Sequence, residues 1–298
     1  MVELVSRGVV TPLVRLRWSP SPGVRVWAKL EWYNPFSLSI KDRAALGIIE
    51  SLGDVRGPTL FDASSSNFGA ALAGLAVHYG ARAKIYLPRN AEDFGRLAPV
   101  IMGSEVVATQ AESTVQLIGL VARKAREEGG IHVNQFLNDS NFEAHLSGIA
   151  KEIDYQASIA GLKLAGVAGS LGTSGHMSAI LFYLQSKYGG VEGILVQPEE
   201  GSNIPGIRRI ETGMIWINML DLDYRLVEVS EAEAAEGVVA IARSDGILIG
   251  PSGGAVVAAL SKVAGSLKPG DYVAVIPDSG YKYISWISER AGIPVSRR

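Results

Sequence analysis

Residues 164–197 read LAGVAGSLGTSGHMSAILFYLQSKYGGVEGILVQ, and this stretch decides the fold. Leu164–Ala168 is a short apolar run with the look of a strand. A turn rich in Gly, Ser and Thr follows, and Thr173–Lys187 is long enough for three or four helical turns. After a Gly-Gly break, Gly193–Gln197 is a second apolar run. A strand, a crossover helix and a second strand form the unit from which parallel sheets are built. The same alternation extends in both directions. Strands are expected at Val26–Leu30, Thr59–Asp62, Lys84–Leu87, Glu105–Ala108 and Tyr272–Ile276. Helices are expected at Ile40–Ser51, Asn67–Tyr79, Glu92–Met102, Ser113–Glu128, Asn141–Ala157, Glu231–Asp245 and Ala255–Ser266. In Ser113–Glu128 the apolar positions 115, 117, 118, 121, 122 and 125 keep to one stripe, and charge crowds the end. The expectation is an α/β fold of twisted, mostly parallel sheets flanked by helices. At 298 residues, two lobes fit better than one sheet.

Composition narrows the chemistry. Twenty-eight basic against thirty acidic side chains leave a net charge of -2, which is no footprint for nucleic acid. No cysteine is present, so disulfides, thiolate catalysis and metal–thiolate sites are excluded. The histidines at 78, 132, 145 and 176 never fall at a helical metal-binding spacing, so no metal site is expected. His145 reads as structural. No apolar run approaches the roughly 18 residues of a membrane span. The N-terminal segment lacks the apolar core of a secretion signal, so a cytoplasmic protein is expected.

Glycine and hydroxyl residues gather where strands hand over to helices. Gly166-Val167-Ala168-Gly169-Ser170-Leu171-Gly172-Thr173-Ser174-Gly175 follows a strand and opens a helix. Its amides and the hydroxyls of Ser170 and Thr173 suit a phosphate. No lysine follows the glycines, so this is neither a Walker loop nor a dinucleotide fingerprint. Asp62-Ala63-Ser64-Ser65-Ser66-Asn67-Phe68-Gly69 is a second such junction, suited to a carboxylate or phosphate, although ordinary capping needs only one of its polar residues. In Asn34-Pro35-Phe36-Ser37-Leu38-Ser39-Ile40-Lys41-Asp42-Arg43, Ser39 can cap and Lys41 enters the first helical turn. There the helix dipole opposes its charge and favours the free amine that Schiff-base chemistry needs. The bare residues equally fit a solvated lysine paired with a carboxylate. Gly250-Pro251-Ser252-Gly253-Gly254, after an expected strand at Ile247–Ile249, and Pro277-Asp278-Ser279-Gly280, at the end of the last expected strand, read as glycine turns. A lysine, a phosphate cradle and a separate carboxylate site together suggest pyridoxal phosphate acting on an amino acid.

The ensemble resembles the cysteine synthase family of fold-type II pyridoxal phosphate enzymes, from Thr11-Pro12-Leu13 through Pro277-Asp278-Ser279-Gly280. Asn34-Pro-x-x-Ser-x-Lys41-Asp-Arg43 is its most specific part. The resemblance implies a smaller substrate-binding lobe at 35–145. A larger cofactor-binding lobe would hold 1–34 and 146–298. It implies that Lys41 holds pyridoxal 5'-phosphate as a Schiff base and later shuttles the α-proton. Asn67 would bind the ring hydroxyl, Gly169, Ser170, Leu171, Gly172 and Thr173 the phosphate, and Ser252 the pyridine nitrogen. Gln135, in Gln135-Phe136-x-Asn138-x-x-Asn141-x-x-x-His145, would bind the substrate carboxylate with Ser64 and Ser65, Ser66 and Phe68 completing that loop.

Phe68 stands where the family usually has a hydroxyl. Arg208 and Arg209, in Ile204-Pro-Gly-Ile-Arg-Arg, stand where acetylserine-using members usually carry small residues. Both features resemble the O-phosphoserine sulfhydrylase branch found in archaea among others. The implied activity is β-replacement of O-phospho-L-serine, or O-acetyl-L-serine, by sulfide through an aminoacrylate to give L-cysteine. Arg208, with Arg209 second, would hold the donor phosphate; the alternative is that both pair with Glu211 or another acid. A cystathionine β-synthase or serine/threonine dehydratase fits the same motifs, and a non-catalytic phosphate-ligand binder needs only the glycine cradle. A homodimer is implied by the resemblance alone.

Overall fold

A computed structural model describes residues 10–293. Within that range two compact units separate, one of residues 34–145 and one of residues 10–33 with 146–293. Among the described residues the strands are β1 Leu13–Arg15, β2 Val24–Leu30, β3 Thr59–Ala63, β4 Arg82–Leu87, β5 Glu105–Ala108, β6 Ile131–His132, β7 Leu164–Ser170, β8 Glu192–Pro198, β9 Tyr224–Val229 and β10 Gly270–Ile276.

The first unit is built on a four-stranded sheet in the order β5-β4-β3-β6, parallel throughout. The chain steps from β3 to β4 to β5 in one direction, and β6 lies on the other side of β3. The order therefore reverses at β3. The second unit holds a six-stranded sheet in the order β1-β2-β10-β7-β8-β9, with β1 alone antiparallel. Here the reversal falls at β7, whose neighbours are β8 and the last strand, β10. Loops leaving the carboxyl ends of strands at such reversals diverge and open a crevice for ligands. The serine loop leaves β3 and the glycine loop leaves β7.

Each unit has its own apolar core. In the first, Ile48, Ile49, Leu72 and Leu75 from the helices Lys41–Leu52 and Asn67–Tyr79 pack on Leu60 of β3. In the second, Val26, Ala168, Ile194, Val196 and Ile276 of the sheet pack with Val238, Ile241, Val256 and Leu260 of two helices, Glu231–Asp245 and Pro251–Lys262. β7 and β8 are almost wholly buried, in keeping with their near-continuous apolar spelling.

Several elements depart from the sequence reading. Ser113–Glu128 is a 3-10 turn at Val115–Leu117 followed by the helix Ile118–Glu127. Asn141–Ala157 is a helix at Ser140–His145, a π-helical turn at Leu146–Ala150 and a helix at Lys151–Ile159. Ile247–Ile249 is no strand: Ile249 makes one bridge to Ser279, and the following helix begins at Pro251 rather than Ala255. The proline explains the start, because its fixed φ and missing N–H suit the first helical position. β1, β6, β9 and the helices Trp216–Met219 and Ile284–Arg290 had no counterpart in the sequence reading.

Candidate active site

Lys41 is the first residue of its helix and half-buried. The loop before it is tied down by the next side chain. The buried Asp42 carboxylate accepts the N–H groups of Phe36, at 2.6 Å, and Ser37, at 2.8 Å, and also the Ser37 hydroxyl. Ser37 and Ser39 share a hydroxyl contact at 2.7 Å, and Ser39 Oγ accepts the Lys41 N–H at 3.1 Å. Ser39 thus serves the helix start from two residues upstream. A carboxylate at a helix N-terminus is favoured by the dipole, so the loop is closed by the anion that this position stabilises best.

At the end of β3, Ser64 Oγ accepts the Gly69 N–H at 2.8 Å and the Ser66 N–H at 3.3 Å, folding the serine loop onto the helix that follows. Ser65 is half-buried. A Cβ on Gly95, in the helix Asp93–Ile101, would lie 2.3 Å from the Ser65 carbonyl, so that helix seats directly on the loop. Ser66 is 8% exposed, and its hydroxyl has no hydrogen-bond partner at the start of Asn67–Tyr79. Asn67 is the first residue of that helix. Phe68 is buried in the core of the first unit, so packing alone accounts for a phenyl ring there.

The chain leaving β6 arrives beside this loop. Gln135, buried, donates through Nε2 to the Ala63 carbonyl at 2.9 Å and through its backbone N–H to Asp62 at 3.3 Å. Asn141 Nδ2 donates to the Gln135 carbonyl at 2.7 Å. Lys41, Ser64, Ser65, Ser66, Asn67 and Gln135 therefore all belong to the first unit. His145 is buried there as well.

The second unit holds the glycine loop. Ser170 closes β7, Leu171 donates its N–H to the Val196 carbonyl at 2.8 Å, and Gly172 and Thr173 lead into the helix Gly175–Tyr188. Ser174 has φ +71°, a left-handed conformation that costs a non-glycine residue about 1–2 kcal/mol. Its hydroxyl and that of Ser178, one turn on, are buried without hydrogen-bond partners. Unmet hydroxyls and a strained turn at a helix N-terminus are what a bound phosphate would satisfy. Ser252 is buried in the first turn of Pro251–Lys262.

The two arginines differ. The Arg208 N–H donates to the Leu171 carbonyl at 2.7 Å and its Nε to the Gly172 carbonyl at 2.9 Å, so residue and glycine loop are fastened together. Burial pulls its guanidinium down to about 10, still a cation at neutral pH. Arg209 Nη2 pairs with Glu211 at 3.1 Å and Glu228 at 2.8 Å. Sequence reasoning missed the support beneath these residues: Asp42, Asp62 and Asn141. A lone acidic residue inside a strand, Asp62, was the available signal.

The sequence family described as "Pyridoxal-phosphate dependent enzyme" matches residues 6–278. The chain belongs to this family. Its cofactor is pyridoxal 5'-phosphate, and the unpartnered hydroxyls of Ser174 and Ser178 fit a phosphate-bearing group. Cysteine synthase B of Escherichia coli (strain K12) is 34% identical over 285 residues, covering 92% of both chains. Among solved structures, O-ureido-L-serine synthase matches with a TM-score of 0.84 at 26% identity, covering 96% of this chain and 95% of that one. The O-acetylserine dependent cystathionine beta-synthase of Helicobacter pylori matches with a TM-score of 0.80 at 25% identity, covering 95% and 96%. Fold-type II relatives thus share the α/β architecture. Among the described residues no helix is long and apolar enough to cross a membrane, and no group of three or more His, Asp or Glu is placed to hold a metal.

Proposed function

We propose that this enzyme makes L-cysteine by β-replacement, taking O-phospho-L-serine as donor and sulfide as nucleophile. Bound pyridoxal phosphate supplies the electron sink for charge developing at the amino-acid α-carbon. In this reading the amine of Lys41 carries the cofactor and moves the α-proton. Ser64, Ser65, Ser66 and Gln135 bind the substrate carboxylate, and Asn67 faces the cofactor ring hydroxyl. Gly169 to Thr173 hold the cofactor phosphate, and Ser252 faces the ring nitrogen. A hydroxyl partner there leaves that nitrogen neutral and favours elimination at the β-carbon. A homodimer belongs to the same reading.

The observation that carries the donor is the contrast between the arginines. Arg209 is spent on Glu211 and Glu228, whereas Arg208 is fastened to carbonyls of the glycine loop and drawn out of water. A guanidinium in such surroundings meets two phosphate oxygens at once. One charge-assisted contact of this kind is worth roughly 1.5–3 kcal/mol, about one to two decades in specificity. Holding the leaving phosphate also helps its departure. The test is kcat/KM of Arg208→Ala on O-phosphoserine and O-acetylserine. A loss of about one to two decades on phosphoserine, with acetylserine little changed, is expected. An equal change on both donors overturns the assignment. Product analysis with sulfide, homocysteine or water separates this activity from cystathionine β-synthesis and dehydration.

A further inference from the structure

We infer that Asp62 is a positioning residue for substrate recognition, setting Gln135 in place to meet the amino-acid carboxylate. The inference rests on the reading of Gln135 given above and adds the element that fixes it. β6 has only two residues, and its pairing with β3 ends where the Val133 N–H donates to the Phe61 carbonyl at 2.9 Å. Asn134 then turns out of the strand with φ +54°. The next N–H, that of Gln135, has lost its ladder partner. The Asp62 carboxylate takes it with one oxygen, at 3.3 Å, while the other accepts the Ala63 N–H at 2.8 Å.

The Gln135 side chain donates to the Ala63 carbonyl at 2.9 Å, and Asn141 holds its backbone carbonyl. Gln135 is thereby gripped at its N–H, its C=O and one donor of its amide, and the amide's second donor remains for a ligand. An aspartate on the central strand of a sheet, fully out of water, is costly to bury, so an uncharged residue would serve the strand better. His132 Nε2 lies 3.6 Å from Asp62 Oδ1. Among the described residues, the N–H groups that reach Asp62 come from the strand's own next residue and from Gln135, and the nearby imidazole belongs to the same segment 132–135.

The experiment titrates the holoenzyme with L-alanine, which has the carboxylate but no leaving group, and with L-alaninamide, which lacks the carboxylate. The cofactor's visible absorbance reports binding. Gln135→Ala and Asp62→Ala should each weaken L-alanine about tenfold, leave L-alaninamide within about twofold, and raise KM more than they lower kcat. The double variant should be no weaker than Gln135→Ala alone, because the two residues act through one contact. Asp62→Asn keeps one acceptor oxygen and should lose about threefold or less; it carries the test if Asp62→Ala does not fold. Losses that multiply in the double variant, or equal losses on both ligands, overturn the inference. An Asp62→Ala enzyme with unchanged affinity overturns it while leaving Gln135 in its place. An unchanged Gln135→Ala enzyme removes the carboxylate contact itself, and the inference falls with it.

Discussion

Asp42 shows how much of the proposed site rests on a side chain that holds backbone in place. Its carboxylate collects the N–H groups of Phe36 and Ser37 and the Ser37 hydroxyl, closing the loop that ends at Lys41. Asp42→Ala leaves buried donors unmet and should cost about 2–4 kcal/mol, read as a lower denaturant midpoint with reduced cofactor loading. Unchanged loading at lower stability would confine Asp42 to folding. Asp62 makes a different claim, on pH. Burial raises its carboxyl above the ordinary 3.8, with the His132, Ala63 and Gln135 contacts opposing that rise. Between 3.8 and the raised value the native chain holds the extra proton, so native stability falls as pH rises through that window. Asp62→Asn does not titrate, so the stability difference should move in favour of the variant as pH rises from 4. Thermal midpoints of both proteins at pH 4 and 7 measure it, and a shift in favour of wild type would mean a lowered carboxyl instead. At this scale the residues proposed to carry the chemistry stood out because glycine, hydroxyl and lysine cluster at predicted strand ends. The supporting acids were not, since one Asp in a run of apolar residues gives no hint of which distant N–H it accepts.

Glycines in the helices Glu231–Asp245 and Pro251–Lys262 act at the level of elements. A Cβ on Gly237 would lie 2.1 Å from the Gly254 carbonyl, and one on Gly254 would lie 2.1 Å from the Ala234 carbonyl. The two helices meet backbone to backbone, and each glycine makes room for backbone of the other helix. The sequence reading took Gly253 and Gly254 as parts of a turn, because close approach and turn geometry select the same residue. Gly237→Ala should force the helices apart and cost about 1–3 kcal/mol or more, since backbone atoms cannot rotate away. Ser252, proposed to face the cofactor ring nitrogen, lies in the first turn of the displaced helix, so cofactor affinity should fall along with the thermal midpoint. An unchanged midpoint would mean the helix pair shifts freely. The longer strands and helices were legible from period and length, and Glu231–Asp245 was placed to the residue. β1 and β6 escaped because two or three residues carry no period. The π-helical turn at Leu146–Ala150 escaped because its apolar residues continue the helical stripe.

On the scale of the whole molecule, stability and cofactor are linked, because a ligand held by the native chain and not by the unfolded one stabilises the fold by mass action. The native chain carries a standing cost beside the glycine loop that a phosphate-bearing ligand would offset: Ser174 in a left-handed conformation and the buried, unpartnered hydroxyls of Ser174 and Ser178. At a cofactor concentration of about 100 times its Kd, the gain is about 2.7 kcal/mol. For a chain of this size that is a rise of roughly 4–8 °C in thermal midpoint over the cofactor-free protein. On the proposed roles, Lys41→Ala removes covalent attachment but keeps the glycine loop, so it should still bind the cofactor, reversibly. Its midpoint should rise with added cofactor by less than the wild type's rise at the same concentration. Borohydride should fix the cofactor to the wild-type chain at Lys41 and leave the variant unlabelled. A variant that is still labelled, or whose midpoint rises as far as the wild type's, would place the covalent bond on another lysine.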